Sequence, residues 1–312
     1  MNKFTKTYDV TIIIPFFNSK NFLNKSLKNS IQLANKYKNI EILYIDDGSK
    51  DNSYNLLKNK ILDKANIKLI KNKKNNGPGI ARNTGLRKAL GRKIIFLDID
   101  DSINIKNFIS MINKFKKSNH LILFNYRRYP ININRFNSIS SKDTYLRRLK
   151  KFLIKKVDLE CIFTCFDRKF LIRNKIYFKS GIHEDVYFMF LLYVKYKKNI
   201  RKYNKIVYKK FNSKNSITSK FSERHLKGFV KALKDINKYL NKNKNLKKKI
   251  YNEFQYRLRG EYVNLHTRIY GSKVKTSLKK KYCSFLKENL TSFINKDYKP
   301  ITKKDFILKT IM

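Results

Sequence analysis

Three closely spaced aspartates, Asp98, Asp100 and Asp101, are the residues of this sequence best suited to chemistry. They directly follow the apolar run 94–97, whose β-branched and aromatic residues predict a strand buried on both faces. Ligands of open α/β sheets collect at the carboxyl ends of strands, and neighbouring carboxylates repel one another unless a divalent cation or a shared proton lies between them. The cluster therefore indicates a metal ion that bridges to a phosphate, although short acidic residues also cap helices and turns.

The elements that must position these aspartates follow one repeated pattern in the first third of the chain. An apolar run leads at once into turn or acidic residues and then into a helical pattern, and the four runs are 10–14, 41–45, 67–70 and 93–97. Apolar side chains recur at helical spacing over 22–37 and 53–65, and the run 121–126 predicts a further strand. This alternation predicts an α/β fold with a mostly parallel sheet of the nucleotide-binding type, with its polar strand ends along one edge.

The second half of the chain is more basic and more helical. Residues 127–156 are basic and aromatic and could grip a sugar or peptide acceptor, and a helix is predicted from Glu184, with Glu184 and Asp185 in its first turn. After about Ser222 amphipathic helical patterns with lysine-rich opposite faces continue to the end. Those faces fit either a solvated surface or an anionic membrane.

The composition is strongly basic, with 73 Lys and Arg against 22 Asp and Glu and a net charge of +51 over 312 residues. Such a balance is typical of proteins that bind polyanions. Lys and Asn are nevertheless spread along the whole chain, as a biased coding sequence would also produce, so no specific nucleic-acid partner is expected.

The sequence carries few signs of a membrane or secretory protein. No apolar stretch approaches the roughly 18 residues that span a bilayer, and the first ten residues lack the apolar core of a signal peptide. We therefore expect a cytoplasmic protein, with peripheral binding at the inner face of the cytoplasmic membrane left open. Cys161, Cys165 and Cys283 are odd in number and lack the paired spacing of a zinc site, which favours reduced thiols.

Five motifs occur in a characteristic order: TIIIPFFN, ILYIDDGSKDNS, NNGPGIARNTGL, FLDIDDSI and HEDVYF. Together they resemble family 2 glycosyltransferases with the GT-A fold, over about residues 9–219. The resemblance implies a Rossmann-like, mixed but mostly parallel sheet flanked by helices. We expect a GT-A domain over 1–221, with a nucleotide-sugar half to about 126 and an acceptor half from 127, and a basic helical region over 222–312.

The resemblance also implies roles for the residues that match the first three motifs. Asp46 and Asp47 would contact the uracil and ribose of a donor such as a UDP-sugar, and Pro15 and Phe16 would line the same pocket. An aspartate that accepts the imide N–H of uracil is reasonable chemistry, although DDGS is also a common tight turn. Within the glycine-containing loop and the helix after it, Arg82 would grip the diphosphate or ribose, with Asn83 beside it.

In the same comparison the aspartate cluster becomes the D-x-D signature. Asp98 would lie near the ribose, Asp98 and Asp100 would bind Mn²⁺ or Mg²⁺, and Asp101 would support the loop. The cation would neutralise the charge that develops on the departing nucleoside diphosphate.

The resemblance implies that the remaining machinery comes from later in the chain. Asp185 would be the general base on the acceptor hydroxyl, with Glu184 helping to hold the site, and direct displacement would invert the anomeric carbon. Lys210 and Ser216 would approach the donor phosphates, although the family more often has arginine where this chain has Lys209 or Lys210.

The sequence thus predicts an inverting, metal-assisted hexosyltransferase or N-acetylhexosaminyltransferase that extends a surface glycan, whether or not the acceptor is lipid-linked. Two alternatives stay open at this point. One is a non-enzymatic basic protein that binds nucleic acid or anionic membrane. The other is a haloacid-dehalogenase-type phosphatase, in which a D-x-D motif follows the first strand of the fold.

Overall fold

The structure is a computed structural model that describes residues 7–61, 64, 66–131, 133–135, 138–157, 160–211 and 221–295. The described residues form two compact units, each assembled from separate stretches of the sequence. The first lies within Met1–Lys142, Glu160–Gly181 and Lys197–Ser213, and the second within Asp143–Leu159, Ile182–Tyr196 and Lys214–Met312. The predicted division of the chain at 221/222 stays a prediction.

The first unit contains nine strands in the described part of the chain, joined in one sheet of order β3-β2-β1-β4-β8-β6-β9-β5, with β7 paired to β6. The strands are β1 (Tyr8–Phe16), β2 (Ile40–Asp46), β3 (Ile67–Lys71), β4 (Gly91–Phe96), β5 (Ser102–Ile103), β6 (Ile122–Tyr129), β7 (Ile133–Arg135), β8 (Thr164–Asp167) and β9 (Arg201–Phe211).

The sheet has a parallel half and a mixed half. Strands β3, β2, β1 and β4 are all parallel, as the four apolar runs predict. Beyond β4 the pairs β4·β8 and β6·β8 are antiparallel, whereas β6·β9 is parallel. The α/β fold class is confirmed, and the strands β5, β7, β8 and β9 are additions that the sequence pattern did not predict.

The helices of the first unit connect and flank these strands. They are α1 (Lys20–Lys36), α2 (Ser53–Lys60), α3 (Pro78–Lys88), α4 (Ile105–Phe115) and α6 (Arg168–Arg173). The predicted helix over 53–65 ends earlier, at Lys60. Burial explains the continuous apolar runs, since every residue of β1 and β2 is buried and the strands therefore need apolar residues towards both faces.

The second unit is helical in its described residues. Its helices are α5 (Tyr145–Leu153), α7 (Glu184–Lys195), α8 (Glu223–Lys242), α9 (Lys244–Lys249), α10 (Tyr251–Tyr270) and α11 (Thr276–Leu290). Buried charge ties two of them together, because Glu261 of α10 lies 3.1 Å from Arg257 and 2.9 Å from Lys155, which follows α5. Buried charges require such partners.

Close packing of α3 on β1 sets the position of the helix that carries Arg82. A β-carbon added at Gly85 would lie only 2.4 Å from Cγ2 of Ile13, a buried residue of β1. Ile is stiff at χ1, so its methyl group cannot simply rotate away.

We predict that Gly85→Ala lowers the unfolding free energy by about 1–3 kcal/mol, because overpacking outweighs the gain in helix propensity of roughly 1 kcal/mol. Gly260→Ala is the matched control, since it lies within α10 and has no atom within 4 Å of an added β-carbon. It should stabilise slightly. Urea unfolding of both variants checks this, and equal or opposite changes would contradict the packing argument.

Candidate functional site

The carboxyl ends of β1, β2 and β4 form the edge of the sheet where the predicted site residues gather. Phe16 is in register with Asp46, and Ile13 is in register with Phe96, so the three parallel neighbours present their following loops side by side. This is the edge at which parallel α/β sheets bind ligands.

Asp46 and Asp47 are both buried, but their oxygens are used differently. Both oxygens of Asp47 accept protein hydrogen bonds, Oδ2 from the backbone N–H groups of Asn76 (3.0 Å) and Gly77 (2.7 Å), and Oδ1 from Nδ2 of Asn72 (2.9 Å). Asp46 Oδ1 accepts the N–H of Ser49 at 3.0 Å, whereas its Oδ2 has no hydrogen-bond partner among the described residues. Asp47 therefore shapes the loop before α3, and Asp46 keeps an acceptor for another molecule.

The glycine of this turn is required by both conformation and space. Gly48 has φ of +75°, and an added β-carbon would lie 2.8 Å from the backbone of Lys74. A side chain at this position would push the loop before α3 away from β2.

Pro15 and Phe16 lie at the end of β1 and are buried, with the Phe16 ring 6.4 Å from that of Tyr44 in an edge-on arrangement. The next residue, Phe17, is 38% exposed. The contact of Pro15 and Phe16 with a donor stays a prediction, and Phe17 is the more accessible aromatic residue at this edge.

Arg82 and Asn83 are consecutive residues of α3, but their side chains bind different groups. Nη2 of Arg82 donates to Oδ1 of Asp98 at 2.8 Å, and the guanidinium lies 5.5 Å from the ring centre of Phe178. The amide of Asn83 donates to the carbonyl of Phe178 at 2.8 Å and accepts its N–H at 2.9 Å. Arg82 thus joins the aspartate cluster, and Asn83 holds the backbone beneath it, so a direct contact of Asn83 with a donor stays a prediction.

The segment Asp98–Asp101, which we call the aspartate loop, is held by the end of β9. The hydroxyl of Tyr208 donates to Oδ2 of Asp101 at 2.6 Å and accepts the N–H of Asp98 at 3.2 Å, and the N–H of Phe211 donates to Oδ1 of Asp101 at 2.7 Å. Both oxygens of Asp101 are therefore engaged by the protein. Asp98 and Asp100 remain as the carboxylates of the loop that can bind another group.

The electrostatics of the aspartate loop are unfavourable without further positive charge. Burial raises the pKa of Asp98, but the charges of Arg82 and Lys210 outweigh it, so the net pKa is lowered. Burial, together with the charge on Asp98, raises the pKa of Asp100 and raises that of Asp101 to about 8. A bound cation would relieve this repulsion.

Lys210 of β9 supplies positive charge from inside the site. Its Nζ donates to Oε2 of Glu160 at 2.6 Å and lies 3.9 Å from Oδ2 of Asp98. Burial lowers the pKa of Lys210, but the negative charges of Glu160, Asp98 and Asp101 raise it by more. The net pKa is therefore raised, and the ammonium group stays charged. The structure thus brings Lys210 to the aspartate loop, and its approach to donor phosphates stays a prediction. Ser216 lies outside the described residues.

The chemistry of the aspartate loop fits Mn²⁺ or Mg²⁺, which prefer carboxylate oxygens. Asp98 is kept ionised by its positive neighbours, and Asp100, two residues away, is half-buried whereas Asp101 is buried. Within the described residues no group of three or more His, Cys, Asp or Glu side chains surrounds a metal position. Ligands from outside the described residues would complete such a site, as diphosphate oxygens and water commonly do for Mg²⁺ bound with nucleotides.

Glu184 and Asp185 open α7 in the second unit, where their charge suits the helix N-terminus. Glu184 is buried and Asp185 is half-buried. The preceding His183 adopts a left-handed backbone with φ of 63°, and its ring stacks on Phe229 of α8 at 3.6 Å. Their catalytic roles stay predictions, because they belong to a different unit from the aspartate loop.

The tight fit of α8 against the start of α7 depends on Gly228. A β-carbon at Gly228 would lie 2.4 Å from the carbonyl oxygen of Ile182. This close approach fixes the backbone just before Glu184 and Asp185.

A family model described as glycosyl transferase family 2 matches residues 11–179, more than half of the chain. The chain belongs to glycosyltransferase family 2. Its matched region includes the ends of β1, β2 and β4, the loop before α3 and the aspartate loop. The D-x-D motif of this glycosyltransferase follows the fourth strand rather than the first, unlike in the phosphatase alternative.

Curated relatives match different shares of this glycosyltransferase. An uncharacterized glycosyltransferase of Haemophilus influenzae is 39% identical over 36% of this chain and 44% of its own length, and one of Rickettsia conorii is 39% identical over 39% of this chain and 20% of its own length. The chain therefore spans less than half of these two proteins. A longer match is the Escherichia coli UDP-Glc:alpha-D-GlcNAc-diphosphoundecaprenol beta-1,3-glucosyltransferase WfgD, 35% identical over 60% of this chain and 70% of its own length.

Solved structures agree with the fold. TarS 1–349 of S. aureus in complex with UDP-GlcNAc has a TM-score of 0.56 at 18% identity, over 93% of this chain and 74% of that chain. The mannosyltransferase PcManGT of Pyrobaculum calidifontis in complex with GDP-Man and Mn²⁺ has a TM-score of 0.53 at 13% identity, over 98% of this chain and 84% of that chain. At these identities the likeness supports the GT-A fold alone.

None of the helices that the structure describes is long and apolar enough to cross a bilayer.

Several residues of this edge were missed from the sequence, chiefly Glu160, Arg128 and Tyr208. Arg128 and Tyr208 lie on β6 and β9, and Glu160 immediately precedes a short 3₁₀ helix, Cys161–Phe163. The only local signal was the run IVY at 206–208, which favours a strand. Its partner could not be read from the sequence, because β6 and β9 are far apart along the chain.

The buried ring of His183 provides a test of the local structure around Glu184 and Asp185. Burial, aided by the positive charges of His225 and Arg268 and opposed by Glu261, lowers the pKa of His183 to about 3. The ring is therefore neutral in the folded state, whereas it takes up a proton near pH 6.5 once unfolded. Stability should then fall as the pH drops from about 6.5 towards 3, by up to about 1.4 kcal/mol per pH unit.

We expect His183→Asn, which tolerates a left-handed backbone, to reduce this loss. Urea unfolding of wild type and variant at pH 7.5 and 5 measures the effect. Equal losses of stability would show that His183 is not buried in neutral form.

Proposed function

We propose that this protein transfers a sugar from a UDP-sugar to a hydroxyl group of a growing surface glycan, with inversion at the anomeric carbon. The observation that carries the proposal is a buried carboxylate oxygen of Asp46 that has no hydrogen-bond partner among the described residues, on the same sheet edge as the aspartate loop, Arg82 and Lys210. This edge provides an acceptor for a base and a mixed set of charges for a diphosphate.

The donor base would lie against Asp46. Its buried Oδ2 has no hydrogen-bond partner within the described residues, and a buried acceptor of this kind is stabilised by a donor such as the imide N–H of uracil. Asp47 would act on the base and ribose through the loop that it holds. The names of the E. coli and S. aureus proteins, which include UDP-Glc and UDP-GlcNAc, support a uridine donor.

The diphosphate would lie at the aspartate loop. Asp98 and Asp100 would hold Mn²⁺ or Mg²⁺, which when bound supplies Lewis-acid stabilisation of the leaving diphosphate. Arg82 orients Asp98 by its 2.8 Å ion pair, and Lys210 adds a positive charge that the leaving group can use. The Mn²⁺ complex of PcManGT supports this assignment.

The acceptor would be activated by Asp185. A carboxylate in the first turn of α7 can take the proton of an acceptor hydroxyl, so that the oxygen attacks the anomeric carbon opposite the nucleotide and inverts it. Glu184 is buried beside it and would hold the start of the helix. For the acceptor we propose a surface glycan, reached at the inner face of the cytoplasmic membrane if lipid-linked, as the diphosphoundecaprenol in the name of WfgD suggests.

We predict that Asp46→Asn weakens UDP binding about 10- to 100-fold, because it presents an amide N–H to the imide N–H of uracil. The same change should improve CDP binding, since N3 of cytosine is an acceptor. Calorimetric titration with UDP and CDP measures both. Asp51→Asn is the control, an exposed residue five positions away, and unchanged UDP affinity in Asp46→Asn would refute the base contact.

We predict that Asp185→Asn lowers sugar transfer by about 10²- to 10⁴-fold and leaves UDP binding with Mn²⁺ unchanged, as loss of a general base should. Asp100→Asn should instead remove the contribution of Mn²⁺ to UDP binding. A panel of UDP-sugars, assayed for transfer and for donor hydrolysis, measures the first effect. Wild-type turnover in Asp185→Asn would rule out this base.

A further inference from the structure

Glu160 belongs to a row of five alternating charges beside the aspartate loop and lies between its first two cations. Its Oε1 accepts from Nη2 of Arg128 at 2.8 Å, and its Oε2 accepts from Nζ of Lys210 at 2.6 Å. Beyond Lys210 follow Asp98 and then Arg82. The first four side chains of the row, from Arg128 to Asp98, keep between 19% and 31% exposure, so they line accessible space rather than a closed core.

Strand register makes a residue such as Glu160 necessary. Arg128 of β6 and Lys210 of β9 are direct neighbours in the parallel pair, and two positive charges opposite each other destabilise a sheet. Tyr126 and Tyr208, two positions earlier in the same register, contact Phe163, whose 3₁₀ helix follows Glu160. This aromatic packing places the carboxylate between the two cations.

Among the described residues, Lys210 has two carboxylates within 4 Å of its Nζ and forms a hydrogen bond with one of them. The 2.6 Å contact with Glu160 is a strong ion pair, whereas 3.9 Å to Oδ2 of Asp98 is too long for a hydrogen bond. A movement of Nζ by about 1 Å would shorten its 3.9 Å distance to Oδ2 of Asp98 to that of a charge-assisted hydrogen bond. Because Arg82 already occupies Oδ1 of Asp98, that movement would engage both oxygens of the carboxylate.

We propose that Glu160 is a positioning residue that holds Lys210 away from Asp98 and so keeps Oδ2 of Asp98 available to a divalent cation. This inference rests on the proposed metal-assisted function. Arg128 takes part by binding Oε1 of Glu160, the oxygen that does not contact Lys210. This contact keeps the carboxylate in place when Lys210 moves.

The test is Mn²⁺ binding, read from the electron paramagnetic resonance signal of free Mn²⁺ at saturating UDP. We expect Glu160→Gln, which is nearly isosteric, to raise the apparent Kd for Mn²⁺ about tenfold, as for a competing charge-assisted hydrogen bond. Removing Lys210 as well should abolish the effect, so that Glu160→Gln in a Lys210→Met background binds Mn²⁺ like Lys210→Met alone. Glu288→Gln, an exposed residue of α11, is the matched control and should bind like wild type.

Glu160→Asp separates position from charge. It keeps the negative charge but is one methylene group shorter and cannot reach both Arg128 and Lys210, so we expect an intermediate Kd. A wild-type Kd in Glu160→Asp would mean that only net charge matters and would overturn the proposal.

Two further outcomes have distinct meanings. Unchanged Mn²⁺ affinity in Glu160→Gln, or a loss that Lys210→Met fails to restore, would overturn the role of Glu160 while leaving the proposed function intact. Failure of the wild-type protein to bind Mn²⁺ with UDP would instead overturn the metal assignment on which the inference rests.

Discussion

The crowding of negative charge at the end of β4 is the constraint on which the rest of the site depends. Three aspartates within four residues follow a buried strand, and burial together with mutual repulsion raises the pKa of two of them. Two cations from separate elements, Arg82 of α3 and Lys210 of β9, lie beside these carboxylates. Clustered buried charge of this kind lowers the stability of the fold unless a ligand binds there, and carboxylates with shifted pKa values are typical of functional sites.

Strand β9 is the element that makes this arrangement possible. Its last residues hold the aspartate loop by the Tyr208 hydroxyl and the Phe211 N–H, and they also bring Lys210 beside Asp98. Because β9 pairs with both β6 and β5, the aspartate loop is attached to the mixed half of the sheet as well as to β4. A small shift of β9 would therefore change the geometry of the loop and the position of Lys210 together.

The local sequence pattern was sufficient to predict the parallel half of the sheet. Its four strands are continuous apolar runs that end in turn or acidic residues, at 10–14, 41–45, 67–70 and 93–97. The same reasoning identified Asp46, Arg82 and the aspartate loop, since parallel neighbours must end at one edge. It failed for β8 and β9, whose pairings join residues far apart in sequence. Strand β8 has only four residues, and the charged residues of β9 hide its strand pattern. It also could not foresee Glu160, whose meaning depends on Arg128 and Lys210 being neighbours across two strands.

The turn that contains Asp46 and Asp47 and the aspartate loop use their aspartates in the same two ways, which residue types alone do not reveal. In each loop one aspartate has both oxygens bound by the protein, Asp47 by the loop before α3 and Asp101 by β9. In each loop another aspartate has one oxygen that receives no hydrogen bond from the described residues: Oδ2 of Asp46, and Oδ2 of Asp98, which lies 3.9 Å from Nζ of Lys210. A carboxylate that is fully bound fixes its loop, so that the other aspartate holds its remaining oxygen in a defined direction. In the proposed function, both members of each pair would then be needed, one to hold the backbone and one to meet the nucleotide.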